Sequence, residues 1–211
     1  MFHSSINQPA EFAYTRLQTQ CYHFHVSQTG YVLVGGRSSR MGRDKALLPF
    51  RGGPLVRSVA RAVELAAGSV TLVGHPRRYR PLGFPAIADD YPGQGPLGGI
   101  LTALRHTFAD WNLFAACDMP GLSAEFLRRL LDAAERSGAL ALAPAGPSGR
   151  PEPLCAVYHR AALPALETAF GNGVRQAAAA LQEVHAALLP VLEVLPFQNV
   201  NTPEEWASHV S

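Results

Sequence analysis

An α/β fold built on a mostly parallel central sheet is what this sequence predicts, and three observations predict it. Residues 31–34 form a short apolar run that stops at Gly35-Gly36, the pattern of a buried strand feeding a tight turn. Residues 54–67 carry Val56, Val59, Ala60 and Val63 at helical spacing, and residues 70–73 follow Gly68 as a second strand. Strand, crossover helix and strand in that order argue for parallel pairing. Residues 111–116 are a near-continuous apolar run, as expected of a parallel strand covered on both faces.

The first strand leads into the most unusual chemistry of the chain. After Gly35-Gly36, four cations (Arg37, Arg40, Arg43 and Lys45) fall within nine positions, offset only by Asp44. Paired glycines let the backbone turn sharply and approach a ligand. Successive N–H groups in such a turn can form an anion-binding concavity, and guanidinium or ammonium groups beside it supply charge-assisted hydrogen bonds to phosphate. The physical reading is a triphosphate site; the alternative is a solvated basic loop. A P-loop is excluded because Gly42 is followed by Arg43-Asp44 instead of Lys and a hydroxyl residue. A dinucleotide fingerprint is excluded because Gly35, Gly36 and Gly42 do not fit GxGxxG.

Further along, Gly52-Gly53-Pro54 reads as a turn with Pro54 at the first position of the 54–67 helix. The strand at 70–73 stops at Gly74, and residues 85–88 form a third short strand ending at Asp89-Asp90. The next nine residues, 91–99, contain four glycines and two prolines. A turn into a helix with Pro96 near its start explains only part of that density, which suggests backbone moulded against a flat ligand such as a base and ribose. Asp89, at the strand end, reads by itself as a turn or helix-side carboxylate. A helix at 97–107 precedes the strand at 111–116, which ends in Cys117-Asp118-Met119-Pro120.

In open α/β sheets ligands sit outside the carboxyl ends of the strands, so Asp118 faces the same crevice as the Gly35-Gly36 loop. An Asp there can hold Mg²⁺ through one oxygen while phosphate oxygens and water complete the octahedron. Taken alone it could equally be a turn residue. Met119 reads as packing and Cys117 as a small buried residue. Ser123 caps a helix with Phe126, Leu127, Leu130, Leu131 and Ala134 on its apolar face, closed by Gly138. Residues 139–143 form a strand, and the loop 144–153, with Arg150 and Glu152, is placed to fold over a second substrate before a strand at 154–158. Helices at 161–170 and 174–184 and a last strand at 191–195 follow. Thr202 and Glu205 form a capping box with Pro203 at the first helical position, which leaves Asn199 and Asn201 unexplained.

Composition narrows the function. A chain of 211 residues with 47% hydrophobic and 16% charged residues suits one globular domain. A net charge of +2 does not suggest a nucleic-acid surface, and no run approaches the roughly 20 apolar residues of a membrane span. Cys21, Cys117 and Cys155 make neither a disulfide framework nor a CxxC pair, so a reducing cytoplasm is the expected home. Residues 1–29 form an extension rich in Gln, His and Ser, compatible with disorder and unlike a secretory signal; His3, His23 and His25 read as solvated. A single domain over 30–211 is expected.

The first loop resembles that of the MobA-like nucleotidyltransferases, the molybdenum cofactor guanylyltransferase family, whose pattern is roughly LAGGxSxRMGxDKxL. Leu33-Val34-Gly35-Gly36, Ser38, Arg40-Met41-Gly42 and Asp44-Lys45-Ala46-Leu47 take those places. Three further segments occur in the family's order: the glycine-rich loop after Asp89, the Cys117-Asp118-Met119-Pro120 motif, and 199–205 with its two asparagines. Arg150, Pro153-Leu154 and Tyr158 also match a family region. Val34 stands where the family usually has Ala; a backbone contact to the base would tolerate this, whereas direct methyl packing would shift the nucleotide.

The resemblance implies a three-layer, Rossmann-like nucleotidyltransferase fold with helices on both faces of the sheet. It also implies transfer of GMP from GTP to the terminal phosphate of molybdenum-molybdopterin, with release of pyrophosphate. Lys45, Asp118 and Arg40 would be catalytic. Leu33, Val34, Gly35, Gly36, Lys45, Gly74, Asp89, Gly95 and Asp118 would bind the nucleotide, Asp118 would hold Mg²⁺, and Arg150, Asn199 and Asn201 would meet the pterin substrate. Partners would be GTP, the molybdopterin cofactor, and transiently its donor and acceptor proteins. Base choice would rest on Leu33, Gly74 and Asp89, and Gly74 stands near where the family often offers an Asn. A cytidylyltransferase for the same cofactor, a sugar-1-phosphate nucleotidyltransferase and a non-catalytic nucleotide-binding paralogue are the alternatives.

Overall fold

The computed structural model describes residues 27–35 and 44–192. In chain order the elements are β1 (Gln28–Leu33), a small hairpin of β2 (Pro49–Phe50) and β3 (Gly53–Pro54), α1 (Leu55–Ala67), β4 (Val70–Gly74), α2 (Pro76–Tyr79) and β5 (Ala86–Ala88). Then come α3 (Pro96–His106), β6 (Trp111–Ala116), α4 (Ala124–Ser137), β7 (Ala141–Ala145), β8 (Cys155–His159), α5 (Leu163–Gly171), α6 (Ala177–Glu183) and β9 (Ala187–Pro190).

Among the described residues, seven strands form one sheet in the order β5-β4-β1-β6-β8-β7-β9. Every neighbouring pair is parallel except the two that involve β8, which runs antiparallel to β6 and β7. The mostly parallel sheet expected from the sequence is therefore present, and β6 is parallel on one side only. Period-two alternation splits the side chains between two cores. Val32, Leu72, Leu113 and Val157 pack with α1 and α4. Tyr31, Val73, Phe114 and Tyr158 pack with α3, α5 and α6. The result is three layers with helices on both faces.

The topology positions the site. From β1 the chain moves to β4 and β5 on one side, then returns to β6 on the other side of β1. That reversal of strand order makes the carboxyl ends of β1 and β6 a switch point, the place where open α/β sheets hold their ligands, and the helices that follow the two strands, α1 and α4, pack side by side on one face. A backbone bond from Cys117 N–H to the Leu33 carbonyl (3.3 Å) ties the two strand ends together there.

Helix ends follow local chemistry. The Ser123 hydroxyl accepts from the Phe126 N–H at 3.1 Å, and Gly138 closes α4 in the left-handed region at φ 68°. Gly68 does the same for α1 at φ 77°. Several boundaries correct the sequence reading. Pro54 is not in the first helical turn: it is extended (φ −67°, ψ 143°) and paired with Pro49, so α1 begins at Leu55. Residues 174–176 stay outside α6, because the Arg175 carbonyl accepts the Leu97 N–H and Gln176 is extended.

The strand expected at 139–143 lies two residues later, once the chain has left Gly138. Among the described residues the last strand is Ala187–Pro190, paired in register with β7 from Leu142 opposite Ala187 through Ala145 opposite Pro190; Val191 and Leu192 lie outside it, and the rest of the strand expected at 191–195 falls outside the described residues. The loop before β8 is tied to the sheet: Glu152 N–H donates to the Pro144 carbonyl (2.8 Å), and Ala145 bridges Pro151. Among the described residues no helix is long and apolar enough to cross a membrane.

Candidate active site

At the carboxyl end of β1, Val34 N–H continues the sheet by bonding the Val73 carbonyl (3.0 Å), and Gly35 turns away at φ 102°. The chain re-enters the described structure at Asp44. One carboxylate oxygen of Asp44 accepts the Ala46 N–H (3.2 Å), capping a short 3-10 turn over Lys45–Leu47. Its other oxygen accepts the Tyr79 hydroxyl at 2.7 Å and an Arg78 guanidinium N–H at 3.0 Å.

Lys45 is thereby aimed across the crevice, where its Nζ donates to Asp118 Oδ2 at 2.8 Å. The two side chains are only 15% and 20% exposed. Such a pair is partly desolvated, so removing either partner leaves a charge poorly compensated. Asp118 follows β6, and Met119 behind it is fully buried, which fixes the turn that presents the carboxylate.

The neighbouring thiol is chemically quiet. Burial, with the charges of Asp118 and Asp44 adding to it, pushes the Cys117 thiol up to about 12, so it stays protonated at neutral pH. Glu152, half-buried in the loop before β8, is also held above the usual carboxylate range. Burial is the main cause there, the Leu154 N–H opposes it, and the Asp118 charge adds to it.

Gly74 ends β4 beside Val34 and cannot carry a side chain. A Cβ there would stand 2.6 Å from the Val34 carbonyl oxygen and 2.7 Å from Val34 Cγ2. Because the first of these is backbone, rotamer changes cannot relieve it. Gly74→Ala is expected to destabilise the protein by about 1–3 kcal/mol, read as a lower urea midpoint with an unchanged slope. An unchanged midpoint would mean that the end of β4 shifts freely. The valine at 34 and the glycine at 74 are therefore a matched pair, and no side chain at the end of β4 projects into the crevice from position 74.

Asp89 sits where a turn carboxylate would. Its Oδ1 accepts the Tyr91 N–H (2.9 Å) and the Thr102 hydroxyl (3.3 Å). The glycine-rich segment has reasons internal to the fold. Gly95 caps α3 at φ 87°, and a Cβ on it would lie 2.7 Å from the Arg175 carbonyl oxygen. A Cβ on Gly98 would meet Tyr91 Cβ at 2.7 Å, and one on Gly99 would meet Leu33 Cδ2 at 3.0 Å. Gly99 lets α3 lie close to β1 and β4, whereas Gly95 makes room for the Arg175 backbone and Gly98 for Tyr91.

Of the residues singled out from the sequence, the fold gathers Leu33, Val34, Gly35, Lys45, Gly74 and Asp118 around the β1–β6 switch point, with Asp89 at the end of β5 and Gly95 at the start of α3. Arg150 is exposed on the turn before β8. Gly36, Arg40, Asn199, Asn201 and the capping box at 202–205 lie outside the described residues, as do Cys21 and the three histidines of the extension. Sequence reading missed Tyr79 and Arg78 and gave Asp44 no role. The run His75-Pro-Arg-Arg-Tyr-Arg has one apolar side chain and no period to mark a helix; the adjacency of Asp44 to Lys45 was the only available signal.

A cation–carboxylate pair at the switch point of a mostly parallel sheet, beside a glycine turn, is the arrangement of an α/β ligand site suited to phosphorylated groups, and the family comparisons define the class as nucleotidyltransferase. The model of the MobA-like NTP transferase domain matches residues 30–187. A Deinococcus radiodurans protein named a probable molybdenum cofactor guanylyltransferase is 35% identical over 179 residues, 85% of this chain and 92% of its own. A Vibrio cholerae molybdenum cofactor guanylyltransferase is 33% identical over 189 residues, 86% of this chain and 91% of its own. In structure, molybdopterin-guanine dinucleotide biosynthesis protein A from Archaeoglobus fulgidus superposes with a TM-score of 0.74 at 29% identity, covering 86% of this chain and 96% of the other. The chain belongs to the MobA-like NTP transferase family.

Proposed function

We propose that this protein transfers the GMP moiety of GTP to the terminal phosphate of molybdenum-molybdopterin and releases pyrophosphate. The observation that carries the reading is the Lys45–Asp118 pair at the carboxyl ends of β1 and β6, supported by the guanylyltransferase relatives.

The acceptor is a phosphate monoester, already largely dianionic at neutral pH because its second pKa is about 6. It needs no strong general base, so the work left to the protein is positioning and charge neutralisation. Lys45 holds phosphate oxygens as negative charge builds on the departing pyrophosphate, with Arg40 assigned to assist it. Gly35 and Gly36 are assigned to the phosphates through their backbone N–H groups. Leu33, Val34, Gly74 and Asp89 border the nucleoside, Gly95 sets the start of α3 beside it, and Arg150, Asn199 and Asn201 are assigned to the pterin.

Asp118 fits a magnesium ion by its donor chemistry: it is a hard oxygen ligand, part-exposed at the crevice. Among the described residues no cluster of three or more His, Cys, Asp or Glu side chains forms a protein cage. One or two carboxylates with substrate phosphates is how Mg²⁺ is usually held at such sites. When bound, Mg²⁺ polarises the α-phosphate and offsets its charge. Beyond its two substrates, the protein is expected to meet cofactor donor and acceptor proteins transiently, in the cytoplasm, as a single domain over 30–211.

Isothermal titration with GTP, CTP, ATP and UTP, each with and without Mg²⁺, tests the base and the metal together. Mg²⁺-dependent preference for GTP is the expected result. Preference for CTP would keep the mechanism and change the product, and absence of binding to all four would overturn the reading.

A further inference from the structure

Tyr79 is almost wholly buried, yet its hydroxyl reaches the crevice. Its ring belongs to the core beneath α1 and α4, and its Cε2 lies 3.2 Å from where a Cβ on Gly74 would be. The hydroxyl donates to Asp44 Oδ2 at 2.7 Å and lies 3.9 Å from where a Cβ on Gly35 would be. One side chain thus sits against the end of β4, faces the open side of Gly35 and bonds Asp44, the residue on which the chain re-enters the described structure. Asp44 uses its other oxygen to cap the turn that contains Lys45, and the Lys45 ammonium reaches Asp118 at 2.8 Å.

We propose that Tyr79 is a positioning residue: through Asp44 it fixes the turn that aims Lys45 across the crevice. The proposal rests on the reading of Lys45 as a phosphate ligand. A core-anchored ring is a better reference point than a surface side chain, because close packing leaves it little freedom. The exposed Arg78 adds a second donor to the same carboxylate oxygen. Burial and the bond to Asp44 hold the phenol well above its ordinary pKa, so it remains a donor across the neutral range.

Tyr79→Phe keeps the ring and removes only the hydroxyl. The test is a double-mutant cycle of wild type, Tyr79→Phe, Lys45→Ala and the double variant, titrated with inorganic pyrophosphate by calorimetry. This probe carries the charge Lys45 would hold and depends on neither nucleobase nor acceptor. Tyr79→Phe is expected to weaken pyrophosphate binding about tenfold in the wild-type background. In the Lys45→Ala background it is expected to change nothing, because the group being aimed is gone. A general loosening of the fold would weaken binding equally in both backgrounds. That result, no effect in the wild-type background, or no pyrophosphate binding by wild type, would overturn the proposal. GTP turnover by the wild type is measured alongside: failure there with an intact pyrophosphate cycle would count against the guanylyl reading and leave the positioning role standing.

Discussion

Lys45→Ala is expected to lower kcat for nucleotidyl transfer by about 10²–10³-fold, the loss seen when a preorganised donor to developing negative charge is removed. The ammonium is held in a part-buried pair with Asp118, where its field is less screened than at an open surface. It is also pre-aimed, so little reorganisation is needed as charge moves to the leaving pyrophosphate. The loss should fall mainly on kcat, since that charge is larger in the transition state than in the ground state. Lys45→Arg should restore little, because a planar fork does not replace a compact ammonium on a turn of fixed length. Steady-state rates with GTP and the pterin substrate, with circular dichroism as a check on folding, decide the matter. A loss of less than tenfold would remove Lys45 from this role.

Asp118→Asn is expected to reduce Mg²⁺-dependent turnover by roughly 10²–10⁴-fold, consistent with the several kcal/mol a Lewis acid supplies at a phosphoryl centre. The substitution preserves shape at the edge of the crevice, and the core behind it, Met119 and Ala115, is untouched. The fold should therefore persist, less stable because the Lys45 ammonium loses its carboxylate partner, while the affinity for a divalent cation falls. Paramagnetic titration with Mn²⁺ reads that affinity without turnover. Wild-type activity with wild-type Mn²⁺ binding would exclude Asp118 from the metal site.

How much of this was legible in the sequence depends on the kind of signal. The strand Trp111–Ala116 and the Ser123-capped, Gly138-closed helix carry local marks strong enough to place their ends residue for residue. The Lys45–Asp118 contact joins residues 73 positions apart; spacing could place both at one sheet edge and not in one hydrogen bond. The antiparallel course of β8 was hidden, because an apolar run of five looks alike in either direction. The Tyr79–Asp44 bond was invisible for a different reason: a single aromatic among prolines and arginines has no periodicity to betray that it is buried. The glycines at 95, 98 and 99 suggested a ligand-shaped loop, and the structure supplies steric reasons for each within the fold itself. Pro54 looked like a helix starter and serves a hairpin instead, a choice made by pairing with Pro49 and not by propensity.

The most direct test of the proposed activity follows label from GTP. Wild-type protein is incubated with Mg²⁺, molybdenum-molybdopterin and GTP labelled on either the α- or the γ-phosphate. Guanylyl transfer predicts α-label in a pterin dinucleotide and γ-label in pyrophosphate, with no GMP released in the absence of the pterin. Label from the γ-position in the pterin product, or α-label appearing only as free GMP, would contradict it.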